Sequence, residues 1–358
     1  MRFYTKQHIY SCGIDLHTKK MYVCILDAAG EVVLHRNIKT DREAFLNVIK
    51  PFREDIVVAV ECMFTWYWIA DLCAEEDIPF VLGHALYMKA IHGGKAKNDK
   101  IDSHKIAALL RGGMLPQAYV YPEKMRSTRD LLRRRNHFMR KRAELYAHIQ
   151  NTRSQYNLPE SFGRIARPQN RDGIVEKFDQ PSVQQSTATD PGSGPGQALE
   201  MISAYDPLIT QLERYIIETA KHHDPVAYAL LQTIPGVGRI LGLVILYEIE
   251  DIHRFPTVQD FVSYCRLVKC AKESGGKKTG SSGKKIGNAH LKWAFSEAAA
   301  IFLKDNEPGK RYLDRLTNRY GKAKALSILA HRMGRAVYFI LKNKEAFDQQ
   351  KFLEPALD

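Results

Sequence analysis

The sequence lacks paired cysteines. None of its six cysteines forms a Cys-x-x-Cys pair, and several lie in apolar runs, where a reduced thiol packs as a small hydrophobic side chain. This usage is typical of a reducing compartment and argues against a disulfide scaffold.

Long apolar segments are missing as well. No run approaches the length that crosses a bilayer, and the opening MRFYTKQHIYSCGID has no signal-peptide core. We therefore expect a soluble protein without a membrane partner.

Acidic residues are outnumbered by basic ones. The 358 residues include 53 Lys and Arg against 40 Asp and Glu, which gives a formal net charge of +13. A positive surface most often serves polyanions, so nucleic acid is the leading partner class. A hydrophobic content of 45% suffices for a full core, and the length predicts two or three domains.

The first 120 residues alternate between strand and helix patterns. Three β-rich runs at 8–17, 21–27 and 31–38 are separated by short turns and predict an antiparallel meander. A capped helix pattern at 41–52 and a buried strand at 55–61 follow, and then a further helix and strand. The order βββαβαβ is that of the ribonuclease-H-like (RuvC-like) fold.

A long basic helix is predicted from Lys124 to Arg153. This stretch holds ten Lys or Arg against two acids and contains no proline or glycine. Apolar residues repeat at every seventh position, which is typical of a helical hairpin or coiled coil. The charges fit either a solvated face or phosphate binding, and the two can coexist on different sides of the helix. The candidate phosphate ligands are Arg133, Arg134 and Arg135.

Residues 159–198 are rich in Ser, Thr, Gly, Pro and Gln, which predicts a linker or a mobile insertion. A helix is predicted to begin at Asp206, with Pro207 at its first position, and to pair with the basic helix.

Glycines divide two apolar helix patterns in the stretch LLQTIPGVGRILGLVILYEI at 230–249. Gly236 and Gly238 fit a helix-hairpin-helix element, whose turn presents backbone N–H groups to a phosphate. An ordinary turn between two helices explains the same residues equally well.

Four carboxylates are predicted to converge. A ribonuclease-H-like sheet places its first strand beside its fourth, which brings Asp15 next to Glu61. Asp99 and Asp102 are three residues apart and project from one face of a later helix. Such a group would repel itself without cations, and Mg²⁺ with carboxylate ligands is the usual arrangement for phosphoryl transfer.

Each acid also has a structural explanation. Asp99 alone fits a helix N-cap, and Asp102 fits a partner of the helix dipole. Asp15 could cap a turn, and Glu61 could pair with a lysine. The occurrence of all four in this chain order favours the metal site.

Several stretches resemble the DEDD transposases of the insertion-sequence-110 type, which are bridge-RNA-guided recombinases. The resemblance spans nearly the whole chain and rests on GIDLHTKKMYVCILDAAGEVV, VECMFTWYWIADL, KNDKIDSHKIAALLRGGMLPQAYVYP, LLQTIPGVGRILGLVIL and ESGGKKTGSSGKKIGNAHLKWAF. It implies a RuvC-like domain whose D-E-D-D set falls on Asp15, Glu61, Asp99 and Asp102. It further implies a C-terminal transposase domain with a nucleophilic serine, a structured guide RNA, target and donor DNA, and a homo-oligomer (dimer or tetramer) whose active sites combine two protomers. Such a protein would work in the cytoplasm of a bacterial or archaeal cell, at the nucleoid.

The resemblance points to Ser274 as the nucleophile, because it precedes Gly-Gly-Lys. Ser281 and Ser282 are competitors, and all three serines also fit turn residues or phosphate donors. The surrounding stretch 266–293 holds eight Lys or Arg and five glycines, which suits a close approach to phosphate. The candidate phosphate ligands here are Lys277, Lys278, Lys284 and Lys285.

Three domains are therefore predicted: a RuvC-like catalytic domain at 1–123, a helical hairpin at 124–223 with the polar insertion, and a mainly helical transposase domain at 224–358. The favoured function is an RNA-guided DNA recombinase or transposase. The alternative is a metal-dependent endonuclease or junction resolvase that activates water. A nucleic-acid-binding scaffold with a decayed site is disfavoured by the intact acidic set.

Overall fold

The computed structural model describes residues 2–91, 98–158, 165–187, 198–220, 222–282 and 286–354. It divides into two compact units, Met1–Lys124 and Met125–Asp358. The first unit is mixed α/β and the second is mainly helical, which confirms the predicted fold class at this level. None of the helices in these ranges is long and apolar enough to span a membrane.

The first unit is built on a five-stranded sheet. Its strand order is β4-β3-β2-β5-β6, in which β2, β3 and β4 are antiparallel neighbours and β5 and β6 run parallel to β2. A separate two-stranded pair joins β1 to β7. The strands are β1 (Phe3–Tyr4), β2 (Tyr10–Leu16), β3 (Lys20–Leu26), β4 (Val32–Lys39), β5 (Ile56–Glu61), β6 (Phe80–Gly83) and β7 (Leu115–Pro116).

Four α-helices accompany the strands in the described part of the first unit. They are α1 (Arg42–Ile49), α2 (Tyr67–Glu75), α3 (Ala85–Ile91) and α4 (Asp99–Arg111). Side chains alternate between the two faces of a strand, so Cys12, Ile14 and Leu16 of β2 enter one apolar core with Phe45 of α1 and Ile69 of α2. The opposite face of β2 is left for α4.

The second unit contains ten α-helices and one strand pair among its described residues. They are α5 (Glu123–Gln155, whose first two residues fall in the first unit), α6 (Pro181–Thr187), α7 (Ala198–Thr219), α8 (Pro225–Gln232), α9 (Arg239–Ile249), α10 (Val258–Tyr264), β8 (Cys270–Ser274), β9 (Lys277–Ser282), α11 (Ala289–Phe302), α12 (Glu307–Tyr320), α13 (Lys322–Asn343) and α14 (Gln349–Leu353).

The long basic helix α5 packs against α7. Arg142 contacts Asp206 through a 2.5 Å ion pair, and the rings of Phe138 and Tyr205 lie 5.8 Å apart. Farther along the helix, Ile149 packs with Leu199. Residues 138 and 142 of α5 thus contact residues 205 and 206 of α7, whereas residue 149 packs with the earlier residue 199, so the two helices run antiparallel.

The predicted start of α7 at Asp206 is wrong. The helix begins at Ala198 and contains Pro207 in its interior. Ala198, Leu199 and Ile202 are fully buried, and their packing stabilises the first turns. Pro207 has no amide hydrogen, so the helix lacks the backbone hydrogen bond to the carbonyl of residue 203. Residue 203 is exposed to water.

Part of the predicted polar linker has a core of its own. Between residues 165 and 187, Ile165, Ile174 and Phe178 are buried against α5 and α7. Arg171 is 8% exposed, donates to the carbonyl of Ile165 and forms a 2.6 Å ion pair with Asp206. This segment therefore differs from a structureless linker, because a few apolar side chains and one arginine hold it to the helices.

Candidate active site

Asp15 and Glu61 lie on neighbouring parallel strands. Ile14 of β2 is in register with Val60 of β5, so the next positions in register are Asp15 and Glu61. Neighbouring strands present register partners on the same face. The pairing of the first and fourth predicted strands is thus present, and both acids lie at the carboxyl end of their strands.

Helix α4 crosses this face at very short distance, and Gly13 makes that possible. A Cβ atom at Gly13 would stand 2.2 Å from the amide nitrogen of Ala107 and 2.4 Å from the carbonyl oxygen of Ser103. No larger side chain fits there without moving the helix. This close packing brings the start of α4 near Asp15, whose pKa is raised by Asp99 and Asp102.

The first turn of α4 carries the two remaining acids. Its N-cap is Asn98, whose side chain accepts a 2.8 Å hydrogen bond from the amide of Ile101. Asp99 is therefore not the N-cap, and the explanation of that residue as a cap fails. Asp102 forms a 3.4 Å ion pair with Lys105 one turn later.

A histidine that the sequence analysis did not single out lies among these acids. Nε2 of His17 is 3.4 Å from Oδ2 of Asp15 and 3.6 Å from Oδ1 of Asp99. The three side chains offer ligand atoms within 4.8 Å of one another, which is close enough to hold one metal ion. The sequence feature that could have identified His17 is its position two residues after Asp15, since residues two apart along a strand project to the same side.

The electrostatics of Asp15 show that negative charge is crowded here. Burial raises the pKa of Asp15 above its ordinary value, and the nearby His17 lowers it. The carboxylates of Asp99 and Asp102 raise the pKa further. A bound cation would lower the pKa of Asp15, because it favours the charged form of each neighbouring acid.

Ser274 lies at the tip of a β-hairpin in the second unit. It pairs with Lys277 across the two-residue turn Gly275-Gly276, whose φ angles of 57° and 74° suit glycine. Ser281 and Ser282 pair with Ala271 and Cys270 at the opposite end of the hairpin.

The predicted basic ligands of this loop are only partly described. Lys277 is exposed. Lys278 lies on β9, where only the backbone is described, and Lys284 and Lys285 lie outside the described residues.

The base of this hairpin is clamped. Arg266 donates 3.0 Å hydrogen bonds from Nε to the carbonyls of Ile286 and Gly287, and the amide of Asn288 donates to the carbonyl of Tyr264 at 2.6 Å. These bonds join the chain entering the loop to the chain leaving it. The hairpin therefore projects from a fixed support.

Glu248 connects this support to the basic helix. Its carboxylate accepts hydrogen bonds from Arg129 (3.0 Å), Arg133 (2.6 and 2.9 Å) and Asn288 (2.8 Å). Burial would raise the pKa of Glu248, but the arginines and Asn288 outweigh burial and hold that pKa at about 2. The carboxylate is charged and buried, and it joins α5, α9 and the start of α11.

We expect Glu248→Gln to destabilise the protein by about 3–5 kcal/mol at pH 7, because the buried guanidinium of Arg129 would lose the negative charge of Glu248. Since the folded pKa is below the unfolded value, the stabilisation is present above about pH 4.5 and is lost as the pH falls toward 2. Urea unfolding at pH 7 and pH 3 measures both effects, with the exposed Glu218→Gln as control. Equal unfolding midpoints for wild type and Glu248→Gln at pH 7 would contradict the assignment.

The three adjacent arginines of α5 have different environments. Arg133 is bound to Glu248, and Arg135 donates a 2.8 Å hydrogen bond from Nε to Glu213 of α7. Arg134 is exposed and forms no ion pair within the described ranges. Two of the three predicted phosphate ligands are therefore occupied by carboxylates of the protein itself.

The two glycines of the proposed helix-hairpin-helix turn differ too. A Cβ at Gly236 would stand 2.7 Å from the carbonyl oxygen of Ala298 and from the amide nitrogen of Phe302, so close packing on α11 already requires glycine there. Gly238 precedes α9, and apart from its chain neighbours no atom of the described residues lies within 4 Å of its Cβ position. Gly238 has the open space that a phosphate would need.

Comparison with known proteins places these features in one family. A family model described as "Transposase", of the DEDD IS110 type, matches residues 12–157, and a model of the transposase IS116/IS110/IS902 family matches residues 228–314. The chain is 23% identical over 345 residues to the transposase for insertion sequence element IS1111A of Coxiella burnetii, covering 94% of this chain and 90% of that protein. The chain belongs to the DEDD transposases of the IS110 type.

Proposed function

We propose that this transposase cleaves, exchanges and rejoins DNA strands under the guidance of a structured RNA, with a metal-binding acidic site and a serine nucleophile. The observation that carries the proposal is the convergence of Asp15, His17 and Asp99 at the end of the sheet, with Asp102 close enough to raise the pKa of Asp15. The strand order supports the ribonuclease-H-like (RuvC-like) interpretation of the first unit.

The residues fit a hard divalent cation. Carboxylate oxygens are the ligands that Mg²⁺ prefers, and the raised pKa of Asp15 indicates negative charge that a cation would compensate. We assign Asp15, Glu61, Asp99 and Asp102 as the Mg²⁺ ligands, with His17 positioned between two of them. When bound, the metal stabilises the charge that develops on a phosphate and promotes deprotonation of the attacking hydroxyl.

The serine provides the second half of the mechanism. The hydroxyl of Ser274 attacks the phosphorus of a DNA strand, the Oγ–P bond forms, and the P–O bond to the leaving deoxyribose breaks. The serine proton is released to solvent and the leaving deoxyribose oxygen takes up a proton, so the step is balanced. Its place at the hairpin tip suits entry into a phosphodiester site. Since the phosphoserine link is itself a phosphodiester, the reverse attack by a deoxyribose hydroxyl rejoins DNA without an external energy source.

Exposed cations outside the acidic site are assigned to nucleic-acid phosphates. On α5, Arg134 and Arg140 are exposed and have no carboxylate partner among the described residues. We expect the Arg134→Gln, Arg140→Gln double variant to bind DNA less tightly and to reduce the slope of log K against log salt by about 1.8. The matched control is Arg214→Gln with Lys304→Gln, two exposed cations elsewhere. An unchanged slope in the α5 variant would indicate that its arginines form only a solvated face.

The guide RNA has a direct test. We expect the purified transposase to retain a single defined RNA species, identified by sequencing the nucleic acid that copurifies with it. A chain that retains only heterogeneous cellular RNA, and whose DNA cleavage is insensitive to ribonuclease, would refute guidance. The same preparation gives the oligomeric state by light scattering, and we expect a dimer or tetramer that acts at the nucleoid.

A further inference from the structure

The last three helices enclose a groove that lies almost entirely beyond the residues matched by the family models. Helices α12 and α13 are separated only by Gly321, whose φ of 79° permits the sharp change of direction. Together with α14 and the segment 345–348 they enclose about 1170 Å³. We call this space the C-terminal groove.

The C-terminal groove carries an excess of positive charge. Five permanently cationic side chains line it against two carboxylates, and the cationic ones are Arg315, Arg319, Arg332, Arg335 and Lys351. One of the two carboxylates, Asp348, is already engaged, since it accepts hydrogen bonds from the amides of Gln350 and Lys351. Burial and the charge of Arg335 both lower the pKa of His331, which also lines the groove, so a further positive charge is disfavoured at this histidine.

One of these arginines is structural. The guanidinium carbon of Arg332 lies 5.4 Å from the ring centre of Tyr312 and 5.6 Å from that of Phe352, and the group donates to the carbonyls of Lys351 and Glu354. Arg332 therefore joins α12, α13 and α14 and forms the back of the groove.

The other arginines are available to a ligand. Arg315 and Arg319 lie four residues apart on α12, and Arg335 faces them from α13. None of the three forms an ion pair with a described carboxylate. Unpaired guanidinium groups gathered in one concave surface attract an anion, and their fork geometry matches phosphate.

Exposed aromatic rings accompany these cations. Phe339 is 45% exposed and Tyr320 is 36% exposed, and both line the groove. Arg319 and Lys324 lie 5.1 and 4.5 Å from the centre of the Tyr320 ring. A base that stacks on such a ring places its own phosphates beside these cations, which is how proteins hold single strands.

We infer that the C-terminal groove binds a short single-stranded segment of nucleic acid, with phosphates on Arg315, Arg319 and Arg335 and bases stacked on Tyr320 and Phe339. The inference rests on the proposed function only in taking nucleic acid as a partner. An acidic peptide would satisfy the charges but would leave the exposed rings without stacking partners.

Photocrosslinking tests the site directly. A short RNA oligonucleotide that contains 5-iodouridine is irradiated with the full-length protein, and crosslinked peptides are identified by mass spectrometry. We expect crosslinks at Tyr320 or Phe339. The Arg315→Gln, Arg319→Gln, Arg335→Gln variant should lower their yield by about tenfold or more and reduce the salt slope of binding by about 2. A DNA oligonucleotide with 5-iododeoxyuridine distinguishes a requirement for the ribose hydroxyl from binding to either chain.

The control removes the same charge elsewhere, through Lys50→Gln, Arg214→Gln and Lys304→Gln, all exposed. It should retain the groove crosslinks. Phe339→Ser provides a second variant that keeps every cation and should still lose its crosslink. Crosslinks that map only outside the groove, or that both triple variants weaken equally, would overturn the inference. The readout is binding, so the result is independent of RNA guidance and of Ser274.

Discussion

Asp102→Asn is expected to reduce DNA strand cleavage by at least about 10³-fold while the protein remains folded. The substitution preserves the side-chain shape and removes one charge from the acidic site, and a metal contributes several kcal/mol to the stabilisation of a phosphoryl-transfer transition state. Strand cleavage of a labelled DNA in the presence of Mg²⁺ and the copurifying RNA measures the effect.

The same variant has an effect that does not depend on activity. Because Asp102 contributes to the raised pKa of Asp15, its neutralisation relieves repulsion in the folded state. Without divalent cations, Asp102→Asn should therefore unfold at the same temperature as the wild type or at a slightly higher one. Added Mg²⁺ should stabilise the wild type and have little effect on the variant.

Glu307→Gln provides a matched control. Glu307 lies in the first turn of α12 and pairs with Lys310 three residues later, as Asp102 pairs with Lys105 in the first turn of α4. The control thus removes an equivalent charge from an equivalent helix position, and it should cleave DNA at the wild-type rate. Normal cleavage by Asp102→Asn would eliminate this residue from the metal site.

The order of strands and helices along the first unit, and the positions of the acids on them, could be predicted because they depend on local pattern. The predicted strand at 55–61 is observed at Ile56–Glu61, and the predicted basic helix at 124–153 is observed at Glu123–Gln155. Alternation along a strand and the three-residue spacing of Asp99 and Asp102 fix which side each residue occupies. Short-range periodicity therefore predicted the strands and the helix that carry the candidate acids.

Features that depend on distant partners could not be predicted. Arg133 and Arg135 were predicted as phosphate ligands, and their partners Glu248 and Glu213 lie 115 and 78 residues later in the chain. Gly236 appeared as part of a phosphate-binding turn, yet the backbone of α11 fills the space beside it. In each case a partner that is remote in sequence determines what the residue does, and a local sequence pattern cannot identify that partner.

His17 is an intermediate case. Its spacing from Asp15 indicated a shared face, but its proximity to Asp99 depends on how closely α4 packs over Gly13. The close approach of α4 to β2 arises only when the unit folds. A histidine two residues after a strand-borne acid is thus a useful signal only once the helix above the strand has been placed.

The second large effect concerns Ser274. A serine hydroxyl is a weak nucleophile at neutral pH, so its attack on a phosphodiester needs help with the proton and with the developing negative charge. Hydrolysis by activated water would release a free DNA end, whereas attack by serine leaves the DNA bound to the protein. A covalent intermediate therefore distinguishes the recombinase from the hydrolytic nuclease.

We expect wild-type protein, incubated with its copurifying RNA, DNA and Mg²⁺, to form a covalent protein–DNA adduct that mass spectrometry maps to Ser274. Ser274→Ala should lose the adduct, and its recombination should fall by at least about 10³-fold, because the nucleophilic hydroxyl is removed. The variant should still bind nucleic acid, because the turn of the hairpin is formed by Gly275 and Gly276 and stays unchanged.

Ser281→Ala and Ser282→Ala are the matched controls, since these residues pair at the far end of the same hairpin and should retain the adduct. An adduct on either control serine would reassign the nucleophile. Normal cleavage by Ser274→Ala, with no adduct in the wild type, would instead establish metal-activated water as the nucleophile.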